Sequence, residues 1–282
     1  MTLSEKHISQ YKKDGFIHLR GVVPGDVIDL ARTILQCWVD ETIQQWVDEG
    51  LLTDPLHDLD FQVRLLQAWE KAGRPKYSRS PRRDLVSRET FDFLRHPSLV
   101  DLAEALLGTP EISLHGVFNA RAKLPDQVWT DTPWHQDAQY YQDAEHTHVV
   151  SIWIPLQRVT EENSCLQVAR SLQNNTLHER WNDPVSGFIG ISPDIQKTLD
   201  DLSIEMNPGD ALCFTQLTPH RALPNKSNAV RWAMDLRFEA TEHATEKGKE
   251  RGFIVRSLSH PSSITAYEEW MKKWEGQPAG TY

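Results

Sequence analysis

The chain has 282 residues and a formal net charge of −10 at pH 7, enough for one large domain or two small ones. An acidic balance with a pI near 5.6 lacks the basic footprint of a nucleic-acid binder, and no apolar run approaches the ~18 residues of a membrane span. Cys37, Cys165 and Cys213 are odd in number and far apart, so they fit neither a disulfide framework nor a zinc knuckle.

Ser4 caps a first short helix, with Ile8 and Tyr11 on one face and Gly15 as terminator. The N-terminus lacks the basic-then-apolar design of a secretion signal, so cytoplasmic residence is expected. Phe16-Ile-His-Leu-Arg alternates like a strand. Pro24-Gly-Asp opens a longer helix whose apolar positions Val27, Leu30, Ile34, Cys37, Trp38 and Ile43 recur near helical spacing as far as Gly50. A further helix is expected over about Leu59 to Ala72. The loop Arg74-Pro-Lys-Tyr-Ser-Arg-Ser-Pro-Arg-Arg then carries five basic residues. It reads either as solvated or as reaching an anionic substrate or cosubstrate. Ser87 caps one more helix, through Phe91, Leu94, Leu99, Leu102 and Leu106 to Gly108.

From residue 111 the pattern changes to strands at 111–122, 147–156, 164–169, 203–206, 210–217, 229–239 and 252–256, with turns at Pro125, Asn163, Asn207-Pro-Gly and Pro224-Asn. Helices first and strands afterwards predict an α+β fold with a mainly β core, a sandwich or jelly roll. Without a repeat or a linker, residues 1–282 read as a single domain. Residues 1–110 supply helical support, 111–260 the core and 261–282 a C-terminal helix or tail.

Thr132-Pro-Trp-His-Gln-Asp-Ala carries the chemistry. His135 and Asp137, two apart on an extended strand, point the same way, and one more histidine would complete a 2-His-1-carboxylate facial triad of the non-haem iron type. Downstream, a Pro-Gly-Asp turn leads into a strand with His220 just past its end, and a second strand carries Arg231. Antiparallel pairing of these two strands would bring both residues to one cavity, where an arginine suits a carboxylate. On Arg231's face follow Ala233, Asp235 and Arg237. An arginine inside a barrel needs an anion, either Asp235 or another carboxylate, or an acidic substrate group. Gln139, Tyr140 and Tyr141 are candidates for the pocket mouth. His146 and His148 read as polar lining or surface. Asn119, Arg121 and Lys123 alternate on the preceding strand, where one of them is a candidate cosubstrate contact.

His135-x-Asp137, His220 and Arg231, together with Trp134-His-Gln-Asp, Val150-Ser-Ile-Trp-Ile-Pro-Leu, Glu162-Asn-Ser-Cys-Leu and Asn207-Pro-Gly-Asp, resemble the phytanoyl-CoA dioxygenase family of Fe(II)/2-oxoglutarate oxygenases. The resemblance runs over nearly the whole chain. It implies a double-stranded β-helix (jelly roll, cupin-like) flanked by N-terminal helices. His135, Asp137 and His220 would hold Fe(II), Arg231 would meet the distal carboxylate of 2-oxoglutarate, and Trp153 would line the cosubstrate site. Ala222 departs from a Ser or Thr that often assists Arg231, a role for which Ser227 is the substitute candidate. With O2, such an enzyme oxidises a substrate C–H bond and releases succinate and CO2. The expected partner is a small molecule, anionic or a natural-product intermediate, acted on by a monomer or homodimer. The alternatives are a silent binding protein on the same barrel and a zinc hydrolase with the same triad.

Overall fold

The computed structural model describes residues 3–76, 82–126, 132–141, 148–170, 176–184 and 187–276. α1 (Glu5–Asp14) begins where the Ser4 hydroxyl accepts from the His7 N–H and ends at Gly15, whose φ of 80° favours a residue without Cβ. β1 (Phe16–Leu19), α2 (Gly25–Asp48) and α3 (Phe61–Lys71) follow. The helix expected from Ser87 to Gly108 is instead two, α4 (Arg88–Leu94) and α5 (Pro97–Leu107). Pro97 has no N–H to donate and restricts His96, so the chain breaks there and restarts with His96 as the cap.

The remaining strands are β2 (Ile112–Leu114), β3 (Asn119–Lys123), β4 (Val149–Pro155), β5 (Leu166–Ala169), β6 (Trp181–Asn182), β7 (Ile189–Gly190), β8 (Asp201–Ile204), β9 (Ala211–Thr215), β10 (His220–Ala222), β11 (Arg231–Ala240) and β12 (Phe253–Arg256). Short helices α6 (Pro193–Gln196), α7 (Glu246–Arg251) and α8 (Tyr267–Lys272) complete the described elements used below. All of these strands pair antiparallel. A seven-stranded sheet runs β1-β9-β4-β11-β2-β12 with β3 on β11, a second sheet runs β10-β5-β8, and β6-β7 form a ribbon.

The strand leading to His220 and the strand carrying Arg231 are not paired. β4 lies between β9 and β11. All seven residues of β4 are buried, and a strand covered on both faces belongs in the middle of a sheet.

β11 shows how the alternation builds two environments, since successive side chains point to opposite faces. Trp232, Met234, Leu236 and Phe238 join one apolar core with Trp38, Trp69, Phe91 and Leu102 from the helices. Burying each such side chain contributes roughly 1.5–3 kcal/mol. Arg231, Ala233, Asp235, Arg237 and Glu239 occupy the other face and are buried as well. On that side Trp153, Leu212, Phe214 and Ala233 pack with Val159, Cys165, Leu166 and Val168 of the segment that carries the small sheet. Helices therefore cover one face of the large sheet, the small sheet covers the other, and polar β11 side chains lie between the sheets. At the C-terminal end, the buried Trp270 of α8 packs on Phe91 and Phe253 and donates to the Arg251 carbonyl at 3.1 Å.

Candidate active site

His135 and His220 meet through their backbones. Each N–H donates to the other's carbonyl, at 3.0 and 2.9 Å, forming an isolated antiparallel bridge beside β10. Directly opposed residues share a face, so the rings lie 4.1 Å apart between centroids despite their distance in sequence. The expected extended strand ends there, because Asp137 opens a 3-10 turn (Asp137–Tyr140). Gln136 fixes that turn, its buried amide donating to the Thr176 and Leu217 carbonyls and accepting from the His178 N–H.

One ligand atom from each of His135, Asp137 and His220 lies within 4.8 Å of the others, and all three residues are buried. Nδ1 of His135 donates to the Pro133 carbonyl at 2.8 Å and Nδ1 of His220 to the Thr218 carbonyl at 3.0 Å. Because a carbonyl can only accept, each proton is placed on Nδ1 and the Nε2 lone pair is free for a metal. Burial, then the neighbouring His220, lowers His135 to about 3. Burial likewise lowers His220. Both rings are therefore neutral at pH 7.

Burial alone would raise the Asp137 carboxyl, but Arg237 above all, then His220, hold it well below the usual carboxylate range. Nε and Nη2 of Arg237 donate to Oδ2 and Oδ1 of Asp137 at 2.9 and 2.7 Å, and the Ser151 hydroxyl donates to Oδ2 at 2.6 Å. Two neutral imidazoles and one fixed carboxylate form a donor set suited to a divalent metal.

Arg231 lines the same cavity as His135, His220 and Trp153. Its guanidinium lies over the Trp153 ring, 5.3 Å from the centroid. Nε donates to the Ser164 carbonyl at 3.1 Å, whereas Nη1 is buried with no acceptor among the described residues. Burial, then Arg121, lowers this guanidinium to about 9. Ser164 holds its carbonyl in place with φ at 75°, a conformation uncommon for a side-chain-bearing residue. Sequence reasoning placed Ser164 at the start of a strand, just after a turn at Asn163, and missed this role. The positive φ shows only in the fold.

The structure places the other candidates as follows. Arg237 is found in the paired arrangement, on Asp137 and, at 3.4 Å, on Asp235. The Ser227 hydroxyl donates to Asn225 Oδ1 and the Ala229 carbonyl inside the turn before β11. Gln139 is buried and donates to the His178, Glu179 and Gly190 carbonyls. The Tyr140 hydroxyl donates to the Ile189 carbonyl, and Tyr141 is buried against His115. Ser227, Gln139, Tyr140, Tyr141 and Arg237 are all absent from the cavity wall that carries Arg231. From the basic loop, Arg82 reaches Asn119 Oδ1 at 2.8 Å and the Phe118 carbonyl at 3.1 Å, while residues 77–81 lie outside the described residues. His148 is exposed beside His243, and His146 also lies outside them.

The family model described as Phytanoyl-CoA dioxygenase (PhyH) matches residues 11–233, and the chain belongs to that family. A probable phytanoyl-CoA dioxygenase of Caenorhabditis elegans is 22% identical over 245 residues, 84% of this chain and 75% of that protein. A methylphosphonate hydroxylase of Gimesia maris is 26% identical over 243 residues, 85% of this chain and 82% of its own length. The solved non-haem monooxygenase ThoJ shares the fold, with a TM-score of 0.59 at 16% identity over 95% of this chain and 96% of that one. The protein is thus an enzyme, a 2-oxoglutarate-dependent non-haem iron dioxygenase whose cofactor is Fe(II) and whose cosubstrate is 2-oxoglutarate. No described helix is long and apolar enough to cross a membrane.

Proposed function

We propose that Nε2 of His135, Nε2 of His220 and a carboxylate oxygen of Asp137 hold Fe(II), and that Arg231, beside Trp153, takes the distal carboxylate of 2-oxoglutarate. In this reading the enzyme uses O2 to oxidise a C–H bond of a small anionic metabolite, with release of succinate and CO2. The two sheets then form a double-stranded β-helix, and residues 1–282 one catalytic domain.

The observation that carries the reading is Nη1 of Arg231, a buried cationic donor without an acceptor among the described residues, in the cavity that His135 and His220 also line. A carboxylate arriving there meets a charge-assisted donor in a desolvated site. A zinc hydrolase would give this donor and Trp153 no task. Bound iron would supply the redox chemistry that couples cosubstrate decarboxylation to substrate oxidation.

The chain's own contributions are positional. The Pro133 and Thr218 carbonyls fix the two imidazole tautomers, Arg237 and Ser151 keep Asp137 ionised and oriented, and the Ser164 carbonyl aims Arg231. Support for an anionic substrate comes from Arg121 and Lys123 on the cavity wall and from the relative that bears the name methylphosphonate hydroxylase.

The test is anaerobic titration with Fe(II) and then 2-oxoglutarate, following visible absorption, and afterwards O2-dependent succinate release. His135→Ala is expected to lose metal binding, and Arg231→Ala to lose the response to 2-oxoglutarate. Full succinate formation in either variant overturns the assignment.

A further inference from the structure

Asp235 lies on the cavity face of β11, between Trp153 of β4 and Asn119 of β3, and is 4% exposed. Its two oxygens have different surroundings. Oδ2 accepts from Arg121 Nη2 at 2.8 Å, Arg121 Nε at 3.2 Å and Arg237 Nη1 at 3.4 Å. Oδ1 is buried with no hydrogen-bond partner among the described residues. Such an oxygen is costly in a folded protein and demands a donor.

Neither O2 nor 2-oxoglutarate has a donor to give. The carboxylates and keto group of the cosubstrate only accept, so of the three reactants only the substrate can donate to Oδ1. Arg121 beside it keeps a third of its side chain exposed on the cavity wall. An acceptor that needs a donor therefore stands next to a cation that suits an anion.

Taking the cavity as the active site, as in the preceding section, we propose that Asp235 and Arg121 form the docking edge for substrate. The substrate is a small acid bearing a hydroxyl or ammonium group, with the donor on Asp235 Oδ1 and the acid group on Arg121. A long apolar acyl chain satisfies neither.

The test uses enzyme loaded with Fe(II) and 2-oxoglutarate under anaerobic conditions, with binding read from the change in visible absorption. 2-Aminoethylphosphonate is compared with propylphosphonate, in which a methyl group replaces the ammonium. β-Alanine and butyrate form a second pair. At least one ammonium-bearing acid is expected to bind about tenfold or more tighter than its partner, the effect of one hydrogen bond to a charged group.

Asp235→Asn is expected to keep its amide oxygen on the guanidiniums and turn its N–H2 into the cavity, which reduces the preference to within about threefold. Arg121→Gln, on the more exposed side of the pair, is expected to weaken both members about tenfold while 2-oxoglutarate affinity stays within about threefold. Equal binding within both pairs, no binding by either ammonium-bearing acid, or a preference unchanged in Asp235→Asn, as when water meets Oδ1, overturns the proposal. Loss of 2-oxoglutarate binding in Arg121→Gln also overturns it, by assigning Arg121 to the cosubstrate. A wild-type enzyme that shows no response to 2-oxoglutarate refutes the active-site reading instead, and that failure is read before any acid is added.

Discussion

Replacing Arg237 with Met removes the guanidinium that holds both oxygens of Asp137 while keeping most of the side-chain volume. The two side chains are 6% and 5% exposed, so the carboxylate left behind is a buried, uncompensated charge. Breaking such a pair from one side costs about 3–5 kcal/mol. With an unfolding entropy of ~2.1 cal/mol/K per residue, a chain of this length gains roughly 0.6 kcal/mol/K on unfolding, which converts the loss to a fall in Tm of about 5–8 °C. This cost belongs to the metal-free protein. A divalent ion between His135, His220 and Asp137 supplies the missing positive charge, so Mn(II) is expected to raise the Tm of Arg237→Met by more than it raises that of wild type. Calorimetry of metal-stripped and Mn(II)-loaded protein measures both quantities. A fall of less than about 2 °C in the stripped variant, or the same Mn(II)-induced gain in both proteins, refutes the view of Arg237 as countercharge to Asp137.

Glu239 gives a pH prediction. Its carboxyl is raised by burial from 4.5 to about 7, against opposing hydrogen bonds from Thr245, so the folded protein binds this proton more tightly than the unfolded chain does. The associated stability is fully present below about pH 4.5 and is lost as pH rises through about 7, a change of about 3 kcal/mol. Glu239→Gln is expected to flatten that decline, and urea unfolding at several pH values that gives parallel curves for the two proteins would contradict it. At Gly252 the backbone packs so closely that an added Cβ would lie 2.0 Å from the Leu114 carbonyl oxygen and 2.6 Å from that of Gly248. Gly252→Ala therefore has to push β12 from β2 and is expected to lose at least about 1–3 kcal/mol by denaturant titration. An unchanged midpoint would show that the backbone yields there without strain.

Local chemistry was legible in the sequence because it acts over a few residues. Ser4 and Gly15 bound α1 as their side chains dictate, and Asp210 closes the Asn207-Pro-Gly-Asp turn by accepting from the Asn207 N–H. The alternation along β11 correctly put Arg231, Asp235 and Arg237 on one buried face. The break at Pro97 was legible too, and continuing the apolar spacing across it made one helix of two.

The sequence by itself determined which side chains share a face and which residue types come together in the short motifs. Only the tertiary structure decided what those faces meet. Period-two alternation is the same whichever strand lies alongside, so it could not show that β4 separates β9 from β11. Nor could it show that His135 pairs through its backbone with His220, or that Arg237 reaches across the space between the sheets to Asp137. The acceptor left open on Asp235 depends on the same fact. Whether a buried polar atom is satisfied is set by neighbours a hundred or more residues away in the chain, and strand order, not local sequence, puts those neighbours in reach.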